Sequence, residues 1–361
     1  MKKTKKILII IQRSNGDVFL SSSLVKALYE NYDFPDIDLL VNDDTLAIAK
    51  LLPHIKCIHT FSYNKKNNNQ LSREINIVKS IYKKYDLSIN LTSSDRSVIY
   101  ARLAAKKAIS AIENKNIKSW WKKILLNEFY YFDSSKHILL NNLKSLKILN
   151  IRHEHIHHPI VFPKKEISKL KNNLKIDNID NFIIFHPSAQ YSYKVYPKNL
   201  RNKLLDYLNT LGVPIIVTGG QTKIDKEIKK EIPDLPNIYI LIGKTSLREY
   251  FMLSELAQAY IGMDTLNMHI AASQDKKIFA IFGSTNIRMW SPWSNQLKIS
   301  AQTNKDIQTY GRNTIFQPSQ PCQICGEVGC GNNHDSDKFP FIISPEVIFD
   351  EVQKWFSSYE L

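Results

Sequence analysis

The densest chemistry in the sequence lies in Gly262-Met263-Asp264-Thr265-Leu266-Asn267-Met268-His269-Ile270-Ala271-Ala272. Asp264 or Thr265 can cap a helix that begins there, leaving backbone N–H groups and the positive helix end aimed at an anion. His269, roughly a turn further along, can reach the same anion. The plainer reading is a capped core helix with one satisfied histidine, and this segment alone does not choose between the two. A second constellation is Cys322-x-x-Cys325-x4-Cys330 with His334 beyond it. Three thiolates and an imidazole suit a tetrahedral zinc ion, and Pro321, Gly326, Gly329 and Gly331 describe a loop able to wrap one. A loop of reduced thiols is the alternative.

Other signatures fail on context. His153-Glu154-His155-Ile156-His157 has the His-Glu-x-x-His pattern of zinc proteases, but that chemistry needs both histidines on one helix face, and His158-Pro159 makes the segment extended. Gly243-Lys244-Thr245 ends like a Walker A loop, yet Ile238 occupies the required upstream glycine position. No Gly-x-Gly-x-x-Gly follows the first apolar run, which weakens a nicotinamide-dependent oxidoreductase reading.

The elements that must position these residues alternate between strands and helices. Ile7 to Ile11 reads as a buried strand, followed by the polar loop Gln12 to Asp17 and a helical run from Val18 with Leu20, Leu24, Val25 and Leu28 in register. Ile37 to Val41 and Leu87 to Leu91 read as further strands, with a basic helix around Ala101 to Lys107. Polar residues crowd Pro163 to Asn181, and the alternation then restarts: Phe182 to Phe185, a helix opened by Pro197, Val213 to Val217, the turn Thr218-Gly219-Gly220, a charged helix to Ile232, and strands at Ile238 to Ile242, Ala259 to Ile261 and Lys277 to Phe282. Such alternation implies parallel strands with crossover helices. The expected organisation is an α/β chain of two Rossmann-like, doubly wound domains: an acceptor-side domain over 1–165, a linker over 166–180, a second domain over 181–343, and a final helix over 344–361 that packs back on the first domain. Ligands of open parallel sheets lie beyond the strands' carboxyl ends, which points to a cleft between the halves.

Composition bounds the partners. The 361 residues carry 49 Lys and Arg against 34 Asp and Glu, a formal net charge of +15 that favours anionic partners. Met1 to Lys6 followed by Ile7 to Ile11 has a signal peptide's order, but the apolar run is too short and no cleavage site follows. No apolar run approaches the length of about 18 residues that a membrane span needs. With 4 cysteines, the chain does not read as a secreted disulfide framework, and a cytoplasmic location is expected. A basic nucleic-acid-binding protein is the non-enzymatic alternative, but no recognition helix, RNA-binding strand motif or zinc-finger spacing supports it.

Six segments together resemble glycosyltransferase family 9, the heptosyltransferases of the lipopolysaccharide inner core. They are Asn15-Gly16-Asp17, His186-Pro187-Ser188, Thr218-Gly219-Gly220, Gly243-Lys244-Thr245-Ser246-Leu247, Asp264 to His269, and Phe282-Gly283-Ser284-Thr285. The similarity covers nearly the whole chain. It implies a GT-B fold and an inverting transfer from a nucleotide sugar, typically ADP-heptose, to a glycan acceptor at the cytoplasmic face of the inner membrane. It also implies that no cofactor is required for catalysis.

Carried onto this sequence, the resemblance makes Asp17 the general base and Lys194 the cation that offsets charge on the departing diphosphate. It places Ser188, Thr218, Gly219, Gly220, Thr222, Thr245, Asp264, Thr265, Leu266 and His269 around the donor, and Arg13, Ser14, Asn15 and Gly16 on the acceptor side. The chain departs from the family at Leu266, where many members have glycine, and at Gln221 and Thr222, where some have an acidic residue. It departs again at Thr245, where a methionine can line the adenine pocket. These departures allow a different nucleotide sugar. Lys106, Lys107, Lys115, Lys118, Lys122 and Lys123, interrupted by Trp120 and Trp121, are expected to touch the acceptor or the membrane interface; a solvated helix face with two buried indoles is the alternative.

Overall fold

A computed structural model describes residues 5–62, 70–114, 117–176, 179–283, 285–318 and 343–359. The chain divides into two compact units, Met1–Ile160 and Val161–Leu361.

The first unit begins with β1 (Lys6–Ile11), α1 (Asn15–Phe19), α2 (Ser22–Asn31), β2 (Asp36–Asn42), α3 (Leu46–Ala49) and β3 (Ile55–Phe61). It continues with α4 (Gln70–Ile81), β4 (Tyr85–Asn90), α5 (Asp95–Ala104), β5 (Ala105–Ile112), α6 (Trp120–Leu125), β6 (Glu128–Tyr131) and α7 (Ile138–Ile148). Its strands lie in the order β3-β2-β1-β4-β5-β6 and pair in parallel. The unbroken apolar run of β1 follows from burial on both faces, since helices cover both sides of such a sheet. Strand order reverses between β1 and β4, and there the Gln12 amide donates to Thr92 Oγ1 at 3.0 Å, tying the loops after the two strands together. The helical run expected from Val18 is two helices, because the Ser21 amide and hydroxyl both turn back to the Val18 carbonyl. The basic helix expected through Lys107 ends at Ala104; Lys106 and Lys107 lie on β5, whose register with β4 pairs Lys107 with Leu87.

The second unit holds α8 (Lys164–Leu174), β7 (Ile183–His186), α9 (Lys198–Asn209), β8 (Ile215–Val217), α10 (Lys223–Glu231), β9 (Ile238–Ile240) and α11 (Leu247–Leu256). Then come β10 (Ala259–Met263), α12 (Leu266–Ser273), β11 (Lys277–Ile281), α13 (Ile287–Trp290), β12 (Ile307–Tyr310), β13 (Asn313–Phe316) and α14 (Pro345–Tyr359). Its sheet runs β12-β13-β11-β10-β7-β8-β9, with only the β12–β13 edge pair antiparallel among the described strands. The reversal of order falls between β7 and β10, repeating the first unit's winding. Gly262 is required there: a Cβ would stand 2.4 Å from the His186 carbonyl oxygen.

The stretch 166–180, expected as a linker, contains most of α8 and packs within the second unit. Leu170 is buried, Glu166 pairs with Arg248 at 2.7 Å, and α8 lies on α11. The helix at 344–361, expected to return to the first domain, packs instead on α9 of the second unit. Ile348 and Val352 enter that unit's core, the Tyr207 and Phe349 rings stack at 5.4 Å, and Glu346 bonds Tyr207 and Lys203. Among the described residues no helix is long and apolar enough to cross a membrane.

Candidate active site

In the first unit the loop after β1 delivers Asp17 into α1 through a capping box. Ser14 is the N-cap, and its amide and hydroxyl donate to Asp17 Oδ2 at 3.2 and 2.7 Å. The other oxygen, Oδ1, is buried, accepts no hydrogen bond from another residue, and faces the Arg13 guanidinium at 3.5 Å. Burial pushes the Asp17 carboxyl above its ordinary value of 3.8, and Arg13 and the Ser14 bonds only partly offset that. Arg13 is held in turn over the Phe132 ring at 5.1 Å, and its carbonyl accepts from Asn42. A carboxylate whose second oxygen is buried and accepts no hydrogen bond, and whose pKa is raised, is suited to taking a proton from a hydroxyl.

In the second unit Thr265 is the N-cap of α12 in extended conformation, but its side chain does not cap the helix. The first-turn N–H groups therefore keep their capacity for an external acceptor. Lys194, from the short turn Ser192–Lys194, reaches Asp264 Oδ2 at 3.4 Å beside that helix end. His269 is buried on the same helix with its ring 6.5 Å from Trp290, and burial with the Lys194 charge lowers its pKa to about 3. The imidazole is neutral at physiological pH. This end of α12 thus combines backbone donors, one cation and a neutral ring, a set suited to a diphosphate and sugar hydroxyls.

Next to it lies a closed polar knot. Asp225 accepts from Ser188 Oγ at 2.5 Å and, as the third residue of a second capping box, from the Thr222 amide and hydroxyl at 2.8 and 2.6 Å. Burial raises its pKa, but the bonds from Ser188, Thr222 and the Gly220 backbone outweigh that and hold it below 3.8. A Cβ on Gly219 would lie 2.9 Å from the same carboxylate and force it to shift, and one on Gly220 would crowd it at 3.1 Å. His186 is buried beside the knot, with Nδ1 3.0 Å from Thr218 Oγ1 and Asn267 Nδ2 against the ring; burial lowers its pKa to about 4. Gly243, at φ +75°, turns the chain into Ser246, which caps α11 together with Glu249. Thr245 is half-buried in that turn.

The structure thus gathers Lys194, Asp264, Thr265, Leu266 and His269 at one helix end, and Ser188, Thr218, Gly219, Gly220 and Thr222 around an inner knot. Arg13, Ser14, Asn15, Gly16 and Asp17 share one loop and helix start in the first unit. Asp225 and Asn267 were not expected; the pattern Thr222-x-x-Asp225 was the available signal for the first. Cys322, Cys325, Cys330 and His334 lie outside the described residues, as do Lys115 and Ser284. Lys122 does not point outward: its side chain is 1% exposed, paired with Asp95 and Glu113 at 2.9 Å each, and donates to the Ser93 carbonyl. A residue surrounded by two carboxylates and a carbonyl has every reason to turn inward despite its charge. Trp120 and Ile124 of the same helix are instead 64% and 76% exposed.

Residues 75–319 match the family model described as Glycosyltransferase family 9 (heptosyltransferase). The chain belongs to glycosyltransferase family 9. It is 26% identical over 292 residues to Lipopolysaccharide heptosyltransferase 3 of Escherichia coli, covering 79% of this chain and 85% of that one. Among solved structures it resembles a family 9 glycosyltransferase from Veillonella parvula, with TM-score 0.73, 16% identity and 99% of each chain covered. It also resembles E. coli heptosyltransferase WaaC with ADP-2-deoxy-2-fluoro heptose, with TM-score 0.68 and 14% identity over 97% of this chain and 99% of that one. The two doubly wound units are those of a GT-B glycosyltransferase, and the protein is an enzyme of sugar transfer.

Proposed function

We propose that this family 9 enzyme transfers heptose, or a related sugar, with inversion from a nucleotide donor to a lipopolysaccharide-type core acceptor. The observation that carries the reading is the uncapped start of α12 with Lys194 and Asp264 beside it. ADP-heptose is the favoured donor, supported by the solved relative WaaC in complex with ADP-2-deoxy-2-fluoro heptose. The α12 N–H groups and Lys194 take up negative charge as the bond from anomeric carbon to diphosphate oxygen breaks, so no divalent metal is needed for that step. Asp17 removes the proton of the acceptor hydroxyl as its oxygen attacks. Trp120 and Ile124, exposed and flanked by exposed Lys118 and Lys123, form the first unit's proposed contact with the anionic lipid acceptor at the cytoplasmic membrane surface.

The test is thermal stabilisation by ADP, UDP, GDP and ADP-heptose, with transfer measured in parallel. Stabilisation by ADP and ADP-heptose, kept in Asp17→Asn while transfer is lost, supports the whole assignment. Preference for UDP or GDP overturns the heptose donor, and no response to any nucleotide overturns the donor site.

A further inference from the structure

Asp38, Cys57 and His59 stand together on the outer strands of the first unit's sheet, one ligand atom of each within 4.8 Å of the others. An irregularity brings them there. β2 and β3 pair Ile37 with Ile55 and then Asp38 with Cys57, so Lys56 is an extra residue in β3. Side chains alternate along a strand, and an unbroken register would set Asp38 opposite Lys56 and turn Cys57 and His59 to the other face. The bulge reverses that parity, as bulges at sheet edges do when they re-aim a side chain. Lys56 itself turns back to Asp36 at 2.7 Å.

The surrounding contacts orient two of the three groups and leave one acceptor unused. Tyr85 donates its hydroxyl to Asp38 Oδ2 at 2.7 Å, and His59 Nε2 lies 2.8 Å from that hydroxyl. Ser80 Oγ of α4 is 3.1 Å from His59 Nδ1. Asp38 Oδ1 is buried and accepts no hydrogen bond, and Cys57 is an exposed free thiol.

We propose that Asp38, Cys57 and His59 bind a divalent ion of the zinc class, through a carboxylate oxygen, a thiolate and one imidazole nitrogen, with solvent in the fourth position. The mixed sulfur, nitrogen and oxygen donors suit a borderline-soft ion, whereas magnesium and calcium take oxygen. The thiol gives up its proton to solvent on binding, and Asp38 Oδ1 gains the partner it lacks. The ring nitrogen not on the ion keeps Ser80 or Tyr85, the contact that fixes a metal-bound histidine. The cluster lies in the amino-terminal half of β2 and toward the middle of β3, whereas the Asp17 loop leaves the carboxyl end of β1, so the ion pins the edge strand and takes no part in transfer.

Cobalt(II) is the probe, because its bond to thiolate gives a near-ultraviolet charge-transfer band. The full-length chain carrying Cys322→Ser, Cys325→Ser and Cys330→Ser leaves Cys57 as the remaining cysteine, and is expected to bind about one equivalent of cobalt with that band. Adding Cys57→Ser removes the band, and adding His59→Asn weakens binding at least tenfold; zinc displaces the cobalt. The replaced thiol is exposed, so folding, followed by circular dichroism, is kept. Absence of the band before Cys57 is replaced, or its persistence afterwards, overturns the site.

Discussion

Asp17 and Asp225 occupy the same local motif in the two units and have opposite fates. Each is the third residue of a helix whose N-cap is Ser or Thr, and each receives that residue's amide and hydroxyl on one oxygen. Asp225 gains a further bond from Ser188 on its other oxygen and a tight glycine wrap, and its pKa falls below the ordinary value. Asp17 has a buried second oxygen with only Arg13 facing it, and its pKa rises. A capping box is therefore not a function in itself. What separates the two carboxylates is whether the second oxygen accepts a further hydrogen bond.

The sharpest way to break this contrast is to make the same substitution twice. Asp17→Asn is expected to cut kcat by about a hundredfold to ten-thousandfold, while Asp225→Asn changes the kcat of folded enzyme far less; equal losses would end the distinction. Stability should move the other way. Asp225→Asn costs about 1–3 kcal/mol in denaturant unfolding at neutral pH, because a charged acceptor is removed from buried donors. Asp17→Asn is expected to raise Tm at pH 7, since the fold raises this carboxyl's pKa and ionisation therefore works against folding at every pH above about 3.8.

The second unit's buried histidines allow a finer pH test. His186 and His269 have folded pKa values of about 4 and about 3, well below the unfolded value of about 6.5. Their contribution is complete above about 6.5 and is lost as pH falls toward those folded values, at up to about 1.4 kcal/mol per pH unit for each. Replacing His186 by Gln should flatten that slope in urea titrations between pH 6 and about 4.5. The smallest effect is Ser14→Ala: losing its hydroxyl bond to the ionised Asp17 moves the acid limb of the kcat/KM profile upward by up to about one unit. An unmoved limb would mean that Asp17 is not the titrating base.

Much of this was legible from residue order. Continuous apolar runs such as Ile7 to Ile11 reveal strands buried on both faces, and the helix opened by Pro197 is the Lys198–Asn209 helix that the structure shows. β3 was missed because Lys56, His59 and Thr60 interrupt its apolar pattern, as an edge strand with a bulge permits. The helix at Lys164–Leu174 is charged on most of its surface and buries chiefly Leu170, which made it read as a linker. At the candidate site, residue pattern singled out the stretch Gly262 to Ala272, whereas Asp17 and Lys194 entered only through the resemblance to family 9. Residue pattern could not tell that Lys122 is buried, because its partners Asp95 and Glu113 lie outside its own helix and meet it only through folding.

The glycine at 262 divides the stretch Gly262 to Ala272 into a part that can drift and a part that cannot. A methyl group there would strike the neighbouring strand's backbone, while Leu266, four positions on, is only half-buried at the start of its helix. In a saturation library, position 262 should return glycine alone while position 266 accepts many side chains. Selection for a new sugar nucleotide can then search the helix start without loosening the strand that holds it.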